Sequence, residues 1–440
     1  MQTTEVTMGN RNDAGTPAPP LQLFPPGVPG TPDTSGTAVS RPWLTPETYW
    51  PALSEATAVL PAPVAVLGLE ALRSNAADLL RRAGGMPLRI ASKSLRVRGV
   101  IEALLQLPGF QGVFSYTLPE ALWLAERCAD VVVGYPSTDR AALTRLLGDE
   151  RLAARVTLMV DDESQLDLVD DVAPAGQRPE VRICLDADAS WQAPALGFIG
   201  TRRSPLHTPD DAVGLGRRIA ARPGFRLVGL MMYEAQVAGV GDAVPGAGPR
   251  NVLMRHLQPR SMAELLGRRQ LIAGRLRDLA PLEFVNGGGT GSIEATRADP
   301  AVTEITAGSG LFGGHLFDNY RAFTPAPAAA YAFDVVRRPT SDTATVLGGG
   351  WIASGPPGAS RLPRPVWPPD LRFLPREGAG EVQTPLRGAA AGTLYPGDRV
   401  WFRHAKSGEP AEHLNEYQVV AGGKIVDTLP TYRGEGKAFL

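Results

Sequence analysis

From about Pro61 onward, short apolar runs alternate with longer amphipathic stretches, the texture of strands and crossover helices in a parallel sheet. Candidate strands are PVAVLG near Val64, LRIASK ending at Lys93, GVFSYT near Val113, DVVVGY near Val132 and RVTLMV near Val156. The series continues with VRICLDAD near Ile183, FRLVGLMMY ending near Tyr233, LEFVNGGGT ending near Asn286 and VTEITAGSG ending near Gly308. Between them, ALRSNAADLLRRAG, LPEALWLAERC, DRAALTRLLGDERLA and MAELLGRRQLIAGRLRDLA place apolar residues at three-to-four spacing with charges opposite, as helices laid on a sheet do. About eight or nine such units predict a closed α/β barrel of the TIM type, (β/α)8, over residues 41–325. An open doubly wound sheet is the rival; the number of strands and the lack of an early glycine-rich dinucleotide fingerprint weigh against it.

After about Pro325 the texture changes to proline- and glycine-rich segments with short β-type runs: AAYAFDVV, ATVLGG, DRVWFR and NEYQVV. These predict a smaller β domain over 326–440, completed by a strand from the region just before the barrel. The first forty residues are rich in proline, glycine and threonine, with neither a basic start nor an apolar core, and read as a disordered tail rather than a secretory signal.

Composition narrows the class of partner. The 44 lysines and arginines nearly balance the 45 aspartates and glutamates, so no general field draws in nucleic acid or an anionic membrane. No apolar run approaches the roughly twenty residues of a spanning helix. Two cysteines, Cys128 and Cys184, are too few for a disulfide framework and suit a reducing cytoplasm. The expected partner is a small molecule.

Four segments carry candidate chemistry. Lys93 ends an apolar strand, where barrel enzymes place catalytic groups, and a desolvated lysine amine near other cations loses its proton and becomes nucleophilic toward an aldehyde. Asn286-Gly287-Gly288-Gly289-Thr290-Gly291-Ser292 and Ala307-Gly308-Ser309-Gly310 follow successive late strands, and such small-residue loops let backbone amides close on a phosphate. Tyr233, beside Glu234, sits at a further strand end, positioned to pack on a planar cofactor. In the β domain, His404 and Lys406 precede Glu409, His413 and Glu416; histidine is suited to proton exchange near neutral pH, but the spacing fits no tight metal signature. Each feature also has an ordinary reading: a solvated loop lysine, flexible turns, a half-buried barrel tyrosine, a surface glutamate, a structural His413.

Taken together, RIASKS, GLMMYE, NGGGTGS, EITAGSGLFGGHLFDNYRAF, VWFRHAKSGE and PTYRGEGKAFL resemble the family of pyridoxal phosphate enzymes that includes D-threonine aldolase and eukaryotic-type D-serine dehydratase, with an alanine racemase-type barrel (fold type III). The chain is similar to the bacterial amino acid deaminase/aldolase branch. The resemblance implies pyridoxal 5′-phosphate held as a Schiff base on Lys93, its phosphate at Gly288, Gly289, Thr290, Gly308 and Ser309, and its ring beside Tyr233. It implies an amino acid substrate and a homodimer whose site joins one protomer's barrel to the other's β domain.

His404 matches the family histidine that coordinates a divalent metal. The second family ligand, an aspartate or cysteine two residues on, is here Lys406. Three readings stay open: Lys406 replaces the metal's charge, which we prefer; Glu409 or Glu416 completes a metal site; or this branch has left lyase chemistry. The implied function is a lyase acting on D-β-hydroxy amino acids by retro-aldol cleavage or dehydration, with Lys93 at the α-proton and His404 at the β-hydroxyl. The alternatives are a racemase, disfavoured because Thr306 stands where racemases of this fold carry an arginine, and a non-catalytic pyridoxal phosphate carrier.

Overall fold

The computed structural model describes residues 21–24, 40–193, 196–406 and 408–440. The expected tail therefore lies almost wholly outside the described residues. The strands run in order β1 (Val64–Gly68), β2 (Leu88–Ala91), β3 (Phe110–Ser115), β4 (Val131–Val133), β5 (Val156–Val160), β6 (Val181–Asp186), a hairpin of β7 (Trp191–Ala193) and β8 (Gly197–Ile199), then β9 (Phe225–Met232), β10 (Phe284–Gly287) and β11 (Glu304–Ala307). Strands β2 to β6 and β9 to β11 close an eight-stranded barrel, with every neighbouring pair parallel.

The outer helices start where the sequence supplies caps. Asp162 and Thr208 each close a capping box, with Gln165 and Asp211 respectively, and Pro209 takes the first turn of the second helix. The helix Leu69–Ala83 stops at Gly84, whose φ of 58° is left-handed backbone that glycine adopts without strain.

The remaining strands form the β domain: β12 (Ala329–Thr340), β13 (Thr343–Leu347), β14 (Arg364–Trp367), β15 (Arg372–Phe373), β16 (Gln383–Arg387), β17 (Arg399–Arg403), β18 (Glu416–Ala421) and β19 (Lys424–Pro430). Here the first candidate strand is corrected. β1 does not enter the barrel; it pairs antiparallel with β12 and parallel with β18 at the centre of a nine-stranded sheet. All five of its residues are buried, so its sequence has the unbroken apolar character of a barrel strand. The chain thus begins the β domain, leaves it to build the barrel, and returns.

Within the barrel, side chains alternate in and out with period two. Val132, Met159, Cys184, Val228, Met231 and Phe284 form an apolar interior cluster. Packed against it is a polar set: Arg89 pairs with Glu304 at 2.7 Å and with Asp130 at 2.8 Å, and Asn286 donates to Glu304 and to the Thr306 hydroxyl at 2.8 Å each. One step further along the same faces, at the carboxyl ends of the strands, come Lys93, Tyr116, Asp186, Tyr233, Gly288 and Gly308.

Candidate active site

Those strand-end residues line one cleft, about 1240 Å³ with its mouth included. Its wall takes in Lys93, Ser94, Tyr116, Tyr135, Asp186, Arg203, Tyr233, Asn286, Thr306, both glycine loops and, from the β domain, Lys406. Lys93 follows β2 in a single tight turn, Ser92–Ser94, and its Nζ donates to the Tyr135 hydroxyl at 3.1 Å. The neighbouring Ser94 hydroxyl shares a 2.9 Å hydrogen bond with Ser309, which ties the lysine turn to the second glycine loop.

The two loops pack tightly against neighbouring elements because their glycines put no side chain in the way. A Cβ on Gly308 would lie 2.6 Å from the Ala91 carbonyl oxygen, and one on Gly289 would lie 2.9 Å from Ala238 Cβ. Gly288, at φ 83°, occupies left-handed backbone. Thr290 bridges the loops: its hydroxyl accepts from Gly310 N–H at 3.0 Å, and its carbonyl accepts from Arg82 at 2.7 Å.

Charge in the cleft is uneven. Lys93, Lys406 and Arg203 bring cations to it. Burial pushes the Lys406 ammonium below its ordinary range, helped by Lys93 and Arg361 and opposed by Glu409. Asp186 ends β6, four strands round the ring from β2, and so faces Lys93 from the opposite wall. Desolvation raises its carboxyl to about 8, with the Asp161 charge adding to the rise and Arg203 opposing it. Burial, with Glu234 adjacent, likewise raises the Tyr233 phenol to about 12.

The structure brings Lys93, Tyr233, Gly288, Gly289, Thr290, Gly308, Ser309 and Lys406 together around this cleft. It places His404 elsewhere. That side chain is 1% exposed, outside the cleft lining, and burial pushes its pKa down to about 4. Just past β17, the His404 ring is buried in the β domain against the Ala329 backbone of β12, whereas Lys406, two residues on, lines the cleft. His413 stacks on Trp351 with ring centroids 5.0 Å apart, and Glu416 lies in β18 opposite Pro430, both away from the cleft. Among the described residues, no group of three or more histidine, cysteine, aspartate and glutamate side chains is placed to hold a metal ion. Glu234, read as a surface charge, is instead fully buried. Tyr135, Asp186 and Arg203 were not singled out from the sequence, although Tyr135 and Asp186 close the apolar runs DVVVGY and VRICLD as Lys93 closes its own.

Residues 67–315 match the family described as alanine racemase, N-terminal domain. The chain belongs to that family. Among curated relatives, the 3-hydroxy-D-aspartate aldolase of Paracoccus denitrificans is 28% identical over 255 residues, 57% of this chain and 60% of that protein, so the match spans less than two thirds of the relative's length. The D-threonine aldolase structure from Filomicrobium marinum superposes with a TM-score of 0.70 at 21% identity, covering 85% of this chain and 96% of that one. The D-threo-3-hydroxyaspartate dehydratase structure from Delftia sp. HT23 gives 0.68 at 19% identity, covering 85% and 98%. At these identities the superpositions show a shared fold, barrel and β domain together.

Family membership implies pyridoxal phosphate, and the cleft fits it. A lysine amine lines the cavity, two glycine-rich loops allow a phosphate to approach the backbone, and the Tyr233 ring lies beside Gly289. Among the described residues, no helix is long and apolar enough to cross a membrane.

Proposed function

We propose that the protein is a pyridoxal phosphate-dependent lyase that cleaves or dehydrates β-hydroxy amino acids of D configuration. The observation that carries this reading is the Lys93 amine inside a cleft lined by two glycine loops together with Lys406 and Arg203. When bound, pyridoxal phosphate supplies a conjugated sink for electrons released at the substrate α-carbon. Lys93 holds the cofactor and moves the α-proton, and the Tyr135 hydroxyl orients its amine. Thr290, Gly308 and Ser309 receive the phosphate, Gly288 and Gly289 shape the loop that presents Thr290 and leave the backbone bare where the anion approaches, and Tyr233 packs on the ring.

Lys406 reaches the cleft, so it replaces His404 in our assignment as the group that meets the substrate hydroxyl or carboxylate. Its ammonium supplies positive charge that a divalent metal would otherwise bring. His404, packed behind it, supports the turn. The reading extends to a homodimer working in the cytoplasm, supported by the family resemblance and by the two free cysteines.

Racemisation is the second reading, and one observation favours it: Asp186 faces Lys93 across the cleft, as a second base would. Incubation of the cofactor-loaded protein with the D and L forms of threonine, serine and 3-hydroxyaspartate, with and without chelator, separates the two by chiral chromatography. Glycine plus aldehyde, or oxoacid plus ammonia, from the D substrates supports the lyase. Appearance of the opposite enantiomer alone identifies a racemase, and loss of turnover in chelator sinks the role given to Lys406.

A further inference from the structure

We infer that Glu234 is a positioning residue for the cofactor phosphate: its carboxylate sets the backbone of the Gly288–Thr290 loop in the form that receives the anion. The inference rests on the cofactor reading above and deepens it. Glu234 and Arg269 are both fully buried, and they pair at 2.9 Å. Arg269 reaches in from the helix Gly248–Arg277, and it also donates to the Met232 carbonyl at 2.9 Å and to Asp299 at 2.8 Å.

The remaining acceptor sites of Glu234 serve the loop after β10 and the short helix Ile293–Arg297 that follows it. Oε2 accepts from Gly288 N–H at 3.2 Å. Oε1 accepts from the hydroxyls of Ser292, at 3.2 Å, and Thr296. Ser292 Oγ in turn accepts from Gly289 N–H at 3.2 Å. Two consecutive amides of the glycine run are therefore committed inward, one to Glu234 and one to the hydroxyl it holds. Because each peptide plane is rigid, fixing these amides fixes the path into Thr290, whose hydroxyl then secures Gly310 of the second loop at 3.0 Å.

A carboxylate beside a phosphate site repels the ligand on charge alone, so its presence needs a reason. Arg269 neutralises it, and the return is a loop that is already shaped before the anion arrives. A three-glycine run left to itself populates many conformations and loses more freedom on ordering than other sequences do. Glu234 removes that cost from the binding step.

The test compares two ligands that differ only in the phosphate. Dissociation constants of pyridoxal phosphate and of pyridoxal are measured by absorbance on the full-length cofactor-stripped protein, the Glu234→Gln variant and the Ser292→Ala variant, with melting temperatures recorded alongside. Glutamine keeps the shape, but it offers a single acceptor oxygen and turns an N–H toward the remaining loop donors. The expected result is a loss of pyridoxal phosphate affinity of about 10- to 100-fold in Glu234→Gln, from the loss of charge-assisted hydrogen bonds, and a smaller loss in Ser292→Ala. Pyridoxal affinity stays within about twofold of the wild type in both. Equal weakening of both ligands assigns Glu234 to general stability and overturns the inference, as does no change in either. Where Glu234→Gln does not fold, Ser292→Ala decides by the same comparison. A wild type that binds neither ligand overturns the cofactor reading itself, a result distinct from any shift confined to the variants.

Discussion

The raised carboxyl of Asp186 makes stability fall as pH rises, and Asp186→Asn removes that fall. In the folded chain the group stays protonated to about 8, against an ordinary 3.8, because it is desolvated at the barrel mouth with Asp161 beside it. Between those values the unfolded chain has lost the proton and the folded chain has kept it. The stability this group contributes is therefore fully present below about pH 4 and is lost progressively as pH rises to about 8. About four units at 1.36 kcal/mol each set a ceiling of about 6 kcal/mol. Asp186 is partly exposed, so solvent screening cuts this to about 2 kcal/mol. For a chain of this size that is about 2–4 °C in melting temperature. Melting curves of cofactor-stripped wild type and Asp186→Asn from pH 4.5 to 9 test the reasoning. The variant's melting temperature, relative to wild type, climbs by that amount across the window. A difference that is flat with pH, or that declines, refutes the assignment of this titration to Asp186.

Other consequences are equally direct. Gly308→Ala drives a methyl group to 2.6 Å from the Ala91 carbonyl oxygen, with Ser94 Cβ at 3.0 Å, so it lowers stability by about 1–3 kcal/mol in chemical denaturation and weakens cofactor binding, since the displaced turn carries Lys93. Arg89→Met strands the fully buried Glu304 beneath the cleft and costs about 3–5 kcal/mol by the same assay, whereas replacing Arg89 and Glu304 together by apolar residues recovers most of that loss.

Strand-end positions were legible in the sequence because the barrel reuses one rule: an apolar run ends, and the next inward residue faces the mouth. Lys93 and Tyr233 stand out by that rule, and Gly288 and Gly308 by the small-residue runs that follow two late strands. Tyr135 and Asp186 obey the same rule, but a tyrosine and an aspartate at a strand end have many ordinary explanations, and only the closed ring shows which wall each occupies. β1 was misplaced because five buried residues in a row read alike in a barrel and at the centre of a nine-stranded sheet; only its pairing with β12 and β18 separates the two. Glu234 was misread for a related reason. Its partner Arg269 lies 35 residues away on an outer helix, and nothing local to MMYEAQ announces a buried ion pair. His404 and Lys406 lie two residues apart, so which of them enters the cleft depends on the turn after β17, a detail the pattern of VWFRHAKSGE does not encode.

The central claim is that Lys93 carries the cofactor. The chain has four lysines, Lys93, Lys406, Lys424 and Lys437, so borohydride reduction after incubation with pyridoxal phosphate, followed by proteolysis and mass spectrometry, reads the site directly. The account predicts one stoichiometric adduct on the peptide that contains Lys93, absent in Lys93→Ala while Lys406 stays unmodified. An adduct on Lys406, or scattered low labelling of the exposed Lys424 and Lys437 with none on Lys93, would contradict it.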